Sequence, residues 1–125
     1  MSNLALADRR SKPRYPTDGL IVSLRRRGKL HHLEAVAIDF NRHGIGLLLD
    51  QPIAKDTTVY LTLRLADAQV EDLLGVVHNC ISLPTGYRCG VQFRTTSRLQ
   101  LDQQATEANL RTIEHRFRTR SRMEA

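Results

Sequence analysis

The residues with the clearest chemical potential in this sequence are three arginines near its beginning. Residues 9–14 contain Arg9, Arg10 and Arg14 in an R-R-x-x-x-R pattern, with Pro13 inside it. A guanidinium group is planar and presents paired N–H donors, which match the oxygens of a phosphate or the acceptor edge of a base. The pattern therefore predicts a contact with an anionic ligand. Taken alone it would also fit a solvated basic tail.

A second polar pattern lies at residues 39–44, where Asp39, Asn41 and Gly44 form a D-x-N-x-x-G pattern. The carboxylate and amide oxygens accept hydrogen bonds, and glycine permits a left-handed turn or a close approach of the backbone to a ligand. Asp, Asn and Gly are also ordinary turn residues, so capping of a hairpin turn is the alternative interpretation.

The distribution of charge agrees with an anionic partner for one region of the chain. The net charge is +6, and residues 1–29 carry all of this excess, with eight Lys or Arg against two Asp. A localised basic excess indicates a localised anionic partner. It also permits binding of nucleic acid, which we do not expect, because base-stacking barrels use exposed aromatic residues and this chain has no Trp, three Tyr and three Phe.

Outside these two patterns, an alternation of apolar and polar residues predicts six strands with turns between them. Pro84, Thr85 and Gly86 give the strongest turn signal. Six short strands at this spacing predict a small antiparallel barrel, mainly β. Two of the predicted strands are given only as the segments Leu47 to Leu49 and Leu74 to Leu83. In the other strands, the residues that share one face are Leu20, Val22 and Leu24; Val36, Ile38 and Phe40; Val59, Leu61, Leu63 and Leu65; and Tyr87, Cys89, Val91 and Phe93.

The end of the chain changes period and predicts a helix. Leu110, Ile113 and Phe117 follow helical spacing, and the flanking residues are charged. We therefore expect one domain, with a basic arm at residues 1–17, a barrel at residues 18–97 and a C-terminal amphipathic helix and tail at residues 98–125. The apolar stripe of the helix would pack on the barrel, and it could also serve a homodimer, so monomer and homodimer both stay open.

Nothing in the sequence predicts an enzyme. Known catalytic and phosphate-binding signatures are missing, and the acids show no pairing typical of acid–base chemistry. The two cysteines, Cys80 and Cys89, are too few for a structural zinc site and lie in apolar surroundings, so we expect inert packing and no metal. The sequence has no apolar segment long enough to cross a bilayer and no export signal, so we expect a cytoplasmic protein without membrane insertion.

The two patterns together, on a basic arm followed by a six-stranded barrel and a helix, resemble the PilZ domain family of bacterial receptors for cyclic di-GMP. The family has R-x-x-x-R before its first strand and [D/N]-x-S-x-x-G between its second and third strands. The resemblance extends from about Asp8 to the end of the helix. Asn41 stands where the family has serine, which is a polar replacement for a polar residue.

The resemblance implies a second-messenger receptor that needs no cofactor and binds cyclic di-GMP as its ligand. Arg10 and Arg14 would hold the phosphates and a guanine edge, and Arg9 would help to hold a stacked pair of ligand molecules. Asp39, Asn41 and Gly44 would line a guanine pocket. Ligand binding would order the arm and change the surface offered to an unidentified protein partner.

Two alternatives stay open at this point. The chain could be a PilZ-like module that contacts proteins without binding nucleotide, for which Asn41 is the motive, or a β-barrel that binds nucleic acid.

Overall fold

The computed structural model describes residues 15–17, 19–66, 68–94 and 100–124. Arg9, Arg10 and Arg14 lie outside these residues. Seven strands and a helix follow one another along the described chain: β1 (Tyr15–Pro16), β2 (Ile21–Arg26), β3 (His32–Asn41), β4 (Gly44–Leu49), β5 (Thr58–Leu65), β6 (Ala68–Leu83), β7 (Gly86–Phe93) and α1 (Gln100–Glu124).

The six long strands close into an antiparallel barrel, which confirms the predicted fold class. The strands pair in the order β3-β2-β5-β6-β7-β4, and β4 pairs with β3 to complete the circle. The closure removes free sheet edges, at which another chain could add a strand. The two-residue strand β1 pairs with the end of β3, opposite Phe40 and Asp39.

Regular alternation explains why most strands have the inward face that the sequence predicts. In β2, Val22 and Leu24 are buried, and the apolar positions of β5 are buried from Val59 to Leu65. Successive side chains of a strand point to opposite sides, so every second residue of these strands enters one core. The barrel interior is therefore filled mainly by aliphatic side chains.

Strand β3 departs from the predicted alternation. Val36 is 64% exposed, whereas Phe40 is fully buried, so the prediction that both residues face inward is wrong. The pairing of β3 with β4 shifts between Ala37 and Asp39, which leaves Ile38 as an extra residue in the strand. Such a β-bulge reverses the side-chain phase. Leu33 and Ala37 thus face the core before the bulge, and Phe40 does so after it.

Helix α1 covers one end of the barrel with its apolar stripe. Leu110, Ile113 and Phe117 are buried, as the sequence predicts. The ring of Phe40 lies 5.9 Å from the ring of Phe93 and 5.9 Å from that of Phe117, measured between centroids. The stripe that could have served a homodimer is therefore occupied by the barrel core. None of the described helices is both long and apolar enough to cross a membrane.

The two cysteines are neighbours on β6 and β7. Cys80 pairs with Cys89 in the register of these strands, and both are free thiols. Cys89 is fully buried. This burial, together with the adjacent Cys80 thiol, raises the pKa of Cys89 from 9.0 to about 12. Since the thiolate is the reactive form, Cys89 stays unreactive at neutral pH, in agreement with a packing role.

Candidate functional site

The turn between β3 and β4 is held by the side chain of Asn41. Its Oδ1 atom accepts hydrogen bonds from the backbone N–H of His43 at 2.7 Å and of Gly44 at 3.0 Å. Asn41 is only 4% exposed. An Asn side chain that bonds to the backbone two residues ahead is a common turn cap. The structure thus gives Asn41 a positioning role: it fixes the turn that follows Asp39.

The bulge at Ile38 determines where Asp39 points. After the bulge, Phe40 enters the core and Asp39 lies on the outer face of the barrel, opposite Gly46 of β4. The carboxylate packs directly above that glycine, because a Cβ added to Gly46 would lie 2.8 Å from Asp39 Oδ1. A side chain at position 46 would displace the carboxylate, so the glycine makes room for it.

Gly46 pairs in turn with Gly90 of β7, so two glycines are adjacent on the outer surface. A Cβ on Gly90 would lie 2.9 Å from Asn79 Oδ1 and 2.9 Å from the His78 ring. Asn79 Oδ1 also accepts a hydrogen bond from the Gly90 N–H at 2.9 Å. We call Gly46 and Gly90 the glycine floor. Both glycines are buried, because the side chain of Asp39 lies over Gly46 and those of His78 and Asn79 lie over Gly90.

A cation lies beside the carboxylate on this face. Arg88 Nη2 is 3.5 Å from Asp39 Oδ2, and the Arg88 side chain is 45% exposed. The Asp39 side chain is only 16% exposed. The pair places an acceptor, Asp39, beside a donor, Arg88, on one face of the barrel.

The chemistry available here is recognition of a polar group that donates hydrogen bonds. The Asp39 carboxylate accepts hydrogen bonds that an imino or amino group donates. Among the described residues, no three His, Cys, Asp or Glu side chains lie together in a way that could hold a metal ion.

Gly44 closes the turn on the side of the helix. It pairs with Asn41, and the Arg42 N–H donates to Glu114 Oε2 of α1 at 2.9 Å. A half-open cleft of about 160 Å³ lies between this turn and α1, lined by Arg42, His43, Glu107, Leu110 and Arg111. The turn is thus anchored to the helix as well as capped by Asn41.

The structure brings together Asp39, Asn41 and Gly44, but the three arginines of the sequence pattern lie outside the described residues. Arg14 immediately precedes Tyr15, which pairs with Phe40 beside Asp39. The first described residue, Tyr15, therefore lies next to the candidate site.

Sequence reasoning missed the glycine floor and Arg88. Glycine inside a strand is a signal of close backbone approach, so the isolated glycines at 46 and 90 could have indicated such a surface. Arg88 has no comparable signal, because it lies 49 residues from Asp39 along the chain and only the strand pairing brings the two together.

Comparison with known proteins gives one family and several solved structures with a similar fold. The family model described as the PilZ domain matches residues 8–108. Comparison with curated proteins found no match.

Among solved structures, the PilZ domain of YcgR from Escherichia coli with c-di-GMP is 14% identical, with a TM-score of 0.70, and the match covers 94% of this chain and 97% of that one. The K. pneumonia MrkH–c-di-GMP complex is 19% identical with a TM-score of 0.70, over 94% of this chain and 56% of that one.

The Bacillus subtilis inhibitor of motility, MotI/DgrA, is 17% identical with a TM-score of 0.60, over 86% of this chain and 51% of that one. The chain thus spans about half the length of MrkH and of MotI/DgrA. At these identities the likeness establishes a shared fold.

Proposed function

Since this chain belongs to the PilZ domain family, we propose that it is a receptor for cyclic di-GMP that binds its ligand on the outer barrel face around Asp39. The observation that carries the proposal is the position of Asp39. Its carboxylate lies above the glycine floor, at the end of β3 and just before the capped turn, in a sequence that follows the family's pattern. The solved structures of YcgR and MrkH, which share the fold, contain the same ligand.

The ligand has two guanines and two phosphates, and the site offers a partner for each. A guanine carries N–H donors on its Watson–Crick edge, which the Asp39 carboxylate accepts. Its opposite edge carries the O6 and N7 acceptors, which an arginine fork matches. Arg10 and Arg14 are the proposed donors to that edge and to the phosphates. Arg88, once released from Asp39, is a further donor on the same face.

The remaining residues of the two patterns have supporting roles in this proposal. Asn41 and Gly44 hold the turn in the form that presents Asp39, and the Gly44 backbone lines the pocket. Arg9 holds a second ligand molecule stacked on the first. Residues 15–17 already contact β3, and binding fixes the preceding residues 8–14 against the barrel. The changed surface is recognised by a protein partner. The function is signalling by binding, without catalysis.

Calorimetric titration with cyclic di-GMP tests the arginine roles. We expect the purified chain to bind this ligand and to show no binding of GTP or cyclic GMP. The double variant Arg10→Ala/Arg14→Ala should lose more than about a hundredfold in affinity, because each charge-assisted hydrogen bond contributes roughly 1.5–3 kcal/mol.

A matched control is the double variant Arg64→Ala/Arg94→Ala, which removes the same charge from two exposed positions outside the site. Its affinity should stay within about twofold of the parent chain, since distant surface charges are largely screened. If both double variants bind alike, the roles assigned to Arg10 and Arg14 are wrong. If the parent chain does not bind, the protein-interaction module is the better description.

A further inference from the structure

The hairpin between β2 and β3 concentrates positive charge on an exposed tip that the proposed ligand site does not use. We call residues 25–32 the cationic hairpin. It contains no acid, and residues 27–32 are all exposed. Its cationic residues and histidines are Arg25, Arg26, Arg27, Lys29, His31 and His32.

The backbone of the cationic hairpin has a defined shape. The Lys29 N–H donates to the Arg26 carbonyl at 3.0 Å, and the Arg27 N–H donates to the Thr58 carbonyl at 2.9 Å. Gly28 has a φ of 82°, which a residue with a Cβ rarely adopts, and the space where its Cβ would lie is open. Arg25 Nη1 donates to the Lys29 carbonyl at 3.2 Å. The hairpin thus projects as an ordered tip into solvent.

Leu30 stands at this tip between Lys29 and His31, and it is 93% exposed. Among the described large apolar side chains that are exposed, it has the highest exposure. A single exposed leucine is unremarkable by itself. The tip as a whole combines cations with an exposed leucine, which is the composition of protein surfaces that bind in the headgroup region of anionic bilayers. In that region basic groups contact lipid phosphates and an apolar side chain enters the interface.

The neighbouring loop does not cancel the positive charge. Residues 50–57 lie at the same end of the barrel, where Arg26 Nη2 donates to Gln51 Oε1 at 3.4 Å. This loop contributes Asp50 and Asp56 against Lys55, and Glu34 of β3 lies close to His32 and Asp50. With the four Lys and Arg of the cationic hairpin, five cations face three acids at this end of the barrel.

We infer that the cationic hairpin docks on the surface of an anionic lipid bilayer, with Leu30 in the interface and Arg27 and Lys29 at the headgroups. The hairpin starts β3 at His32, whereas Asp39 lies seven residues further along the same strand, about 23 Å away at the usual rise per residue. Docking therefore leaves the face around Asp39 open to solvent. This inference is independent of the proposed ligand.

A lipid surface fits the hairpin better than a nucleic acid does. Single-stranded nucleic acids stack their bases on exposed aromatic rings. The aromatic ring next to the hairpin is Tyr60, and Arg25 covers it, with its guanidinium carbon 4.7 Å from the ring centroid. The exposed apolar group at the tip is an aliphatic leucine, which favours lipid.

Co-sedimentation with vesicles tests the inference. Vesicles of phosphatidylglycerol and phosphatidylcholine in equal parts should pull down the full chain, whereas pure phosphatidylcholine vesicles should not, and added salt should weaken the binding. Each cation near such a surface raises the partition coefficient onto the vesicles about fivefold. Arg27→Glu/Lys29→Glu should therefore reduce binding more than about 20-fold. Leu30→Ser should reduce it about tenfold, because the apolar group no longer enters the interface.

The control variant Arg64→Glu/Arg111→Glu makes the same change of charge at exposed positions away from the tip. It should lower binding less than about threefold, since charges beyond a Debye length from the surface are screened. Equal binding to neutral vesicles, an equal loss in the control, or no effect of Leu30→Ser would overturn the inference. Tighter binding of a single-stranded oligonucleotide at the same salt would replace lipid by nucleic acid. Calorimetry with cyclic di-GMP should be unchanged in the Arg27→Glu/Lys29→Glu variant.

Discussion

Replacing Asp39 by alanine should weaken cyclic di-GMP binding by at least about a hundredfold, because the carboxylate accepts two charge-assisted hydrogen bonds of roughly 1.5–3 kcal/mol each from the guanine edge. The side chain lies on the outer barrel face beside Arg88 and is 16% exposed. Asp39→Asn keeps the size but turns an N–H₂ group toward donors, so it should bind about as poorly. Calorimetric titration measures both effects.

Glu34→Ala is the matched control for this prediction. Glu34 is an exposed acid on the same strand, five residues before Asp39. Its loss removes the same charge but no proposed ligand contact, so the affinity should stay within about twofold of the parent chain. Parent-like affinity in Asp39→Ala would contradict the assignment of Asp39 to the guanine edge. The free energy of unfolding should change by less than about 1 kcal/mol in Asp39→Ala, which separates binding from folding.

Replacing Phe40 by alanine should lower the free energy of unfolding by about 3–5 kcal/mol. Phe40 is fully buried, and its ring packs against Phe93 of β7 and Phe117 of α1. Truncation would leave a cavity at the place where the helix joins the barrel. Urea unfolding measures the loss as a lower midpoint with an unchanged slope.

Val36→Ala is the control on the same strand, and it also tests the β-bulge. Val36 is 64% exposed, so its truncation should cost less than about 0.5 kcal/mol. If Val36→Ala were as destabilising as Phe40→Ala, both side chains would face the core, and the shift of register at Ile38 would be wrong.

Most of the fold follows from local patterns because regular strands and helices have fixed periods. Leu61 and Leu63 are inward on β5 as alternation predicts, and Leu110 and Ile113 are inward on α1 as helical spacing predicts. In each case the side-chain phase is set within the segment itself, so neighbouring residues carry the information.

Strand β3 is a case in which the local pattern does not predict the structure. The residues from Val36 to Phe40 alternate as a regular strand would, and nothing among them marks Ile38 as an insertion. The bulge depends on how β3 pairs with β4. It is a property of two strands together, and sequence alternation within one strand cannot reveal it.

The residues of the candidate site fall into the same two groups, those that a local pattern predicts and those that only strand pairing brings together. Asp39 and Gly44 were found from one short pattern, since they lie on the two sides of one turn. Asn41 was found too, but its contacts give it a capping role that its residue type alone could not distinguish from ligand contact. Gly90 and Arg88 reach the site from β7 through strand pairing, so their participation depends on the closed barrel.

The most direct test of the central claim is a two-dimensional ¹H–¹⁵N NMR titration of the chain with cyclic di-GMP. We expect the amide signals of Asp39, Gly46 and Gly90 to shift until the ligand saturates, while those of Gly28 and Lys29 in the cationic hairpin stay in place. If no amide of the Asp39 face shifts at saturating ligand, or if the shifts are confined to the hairpin, the proposed receptor site is contradicted.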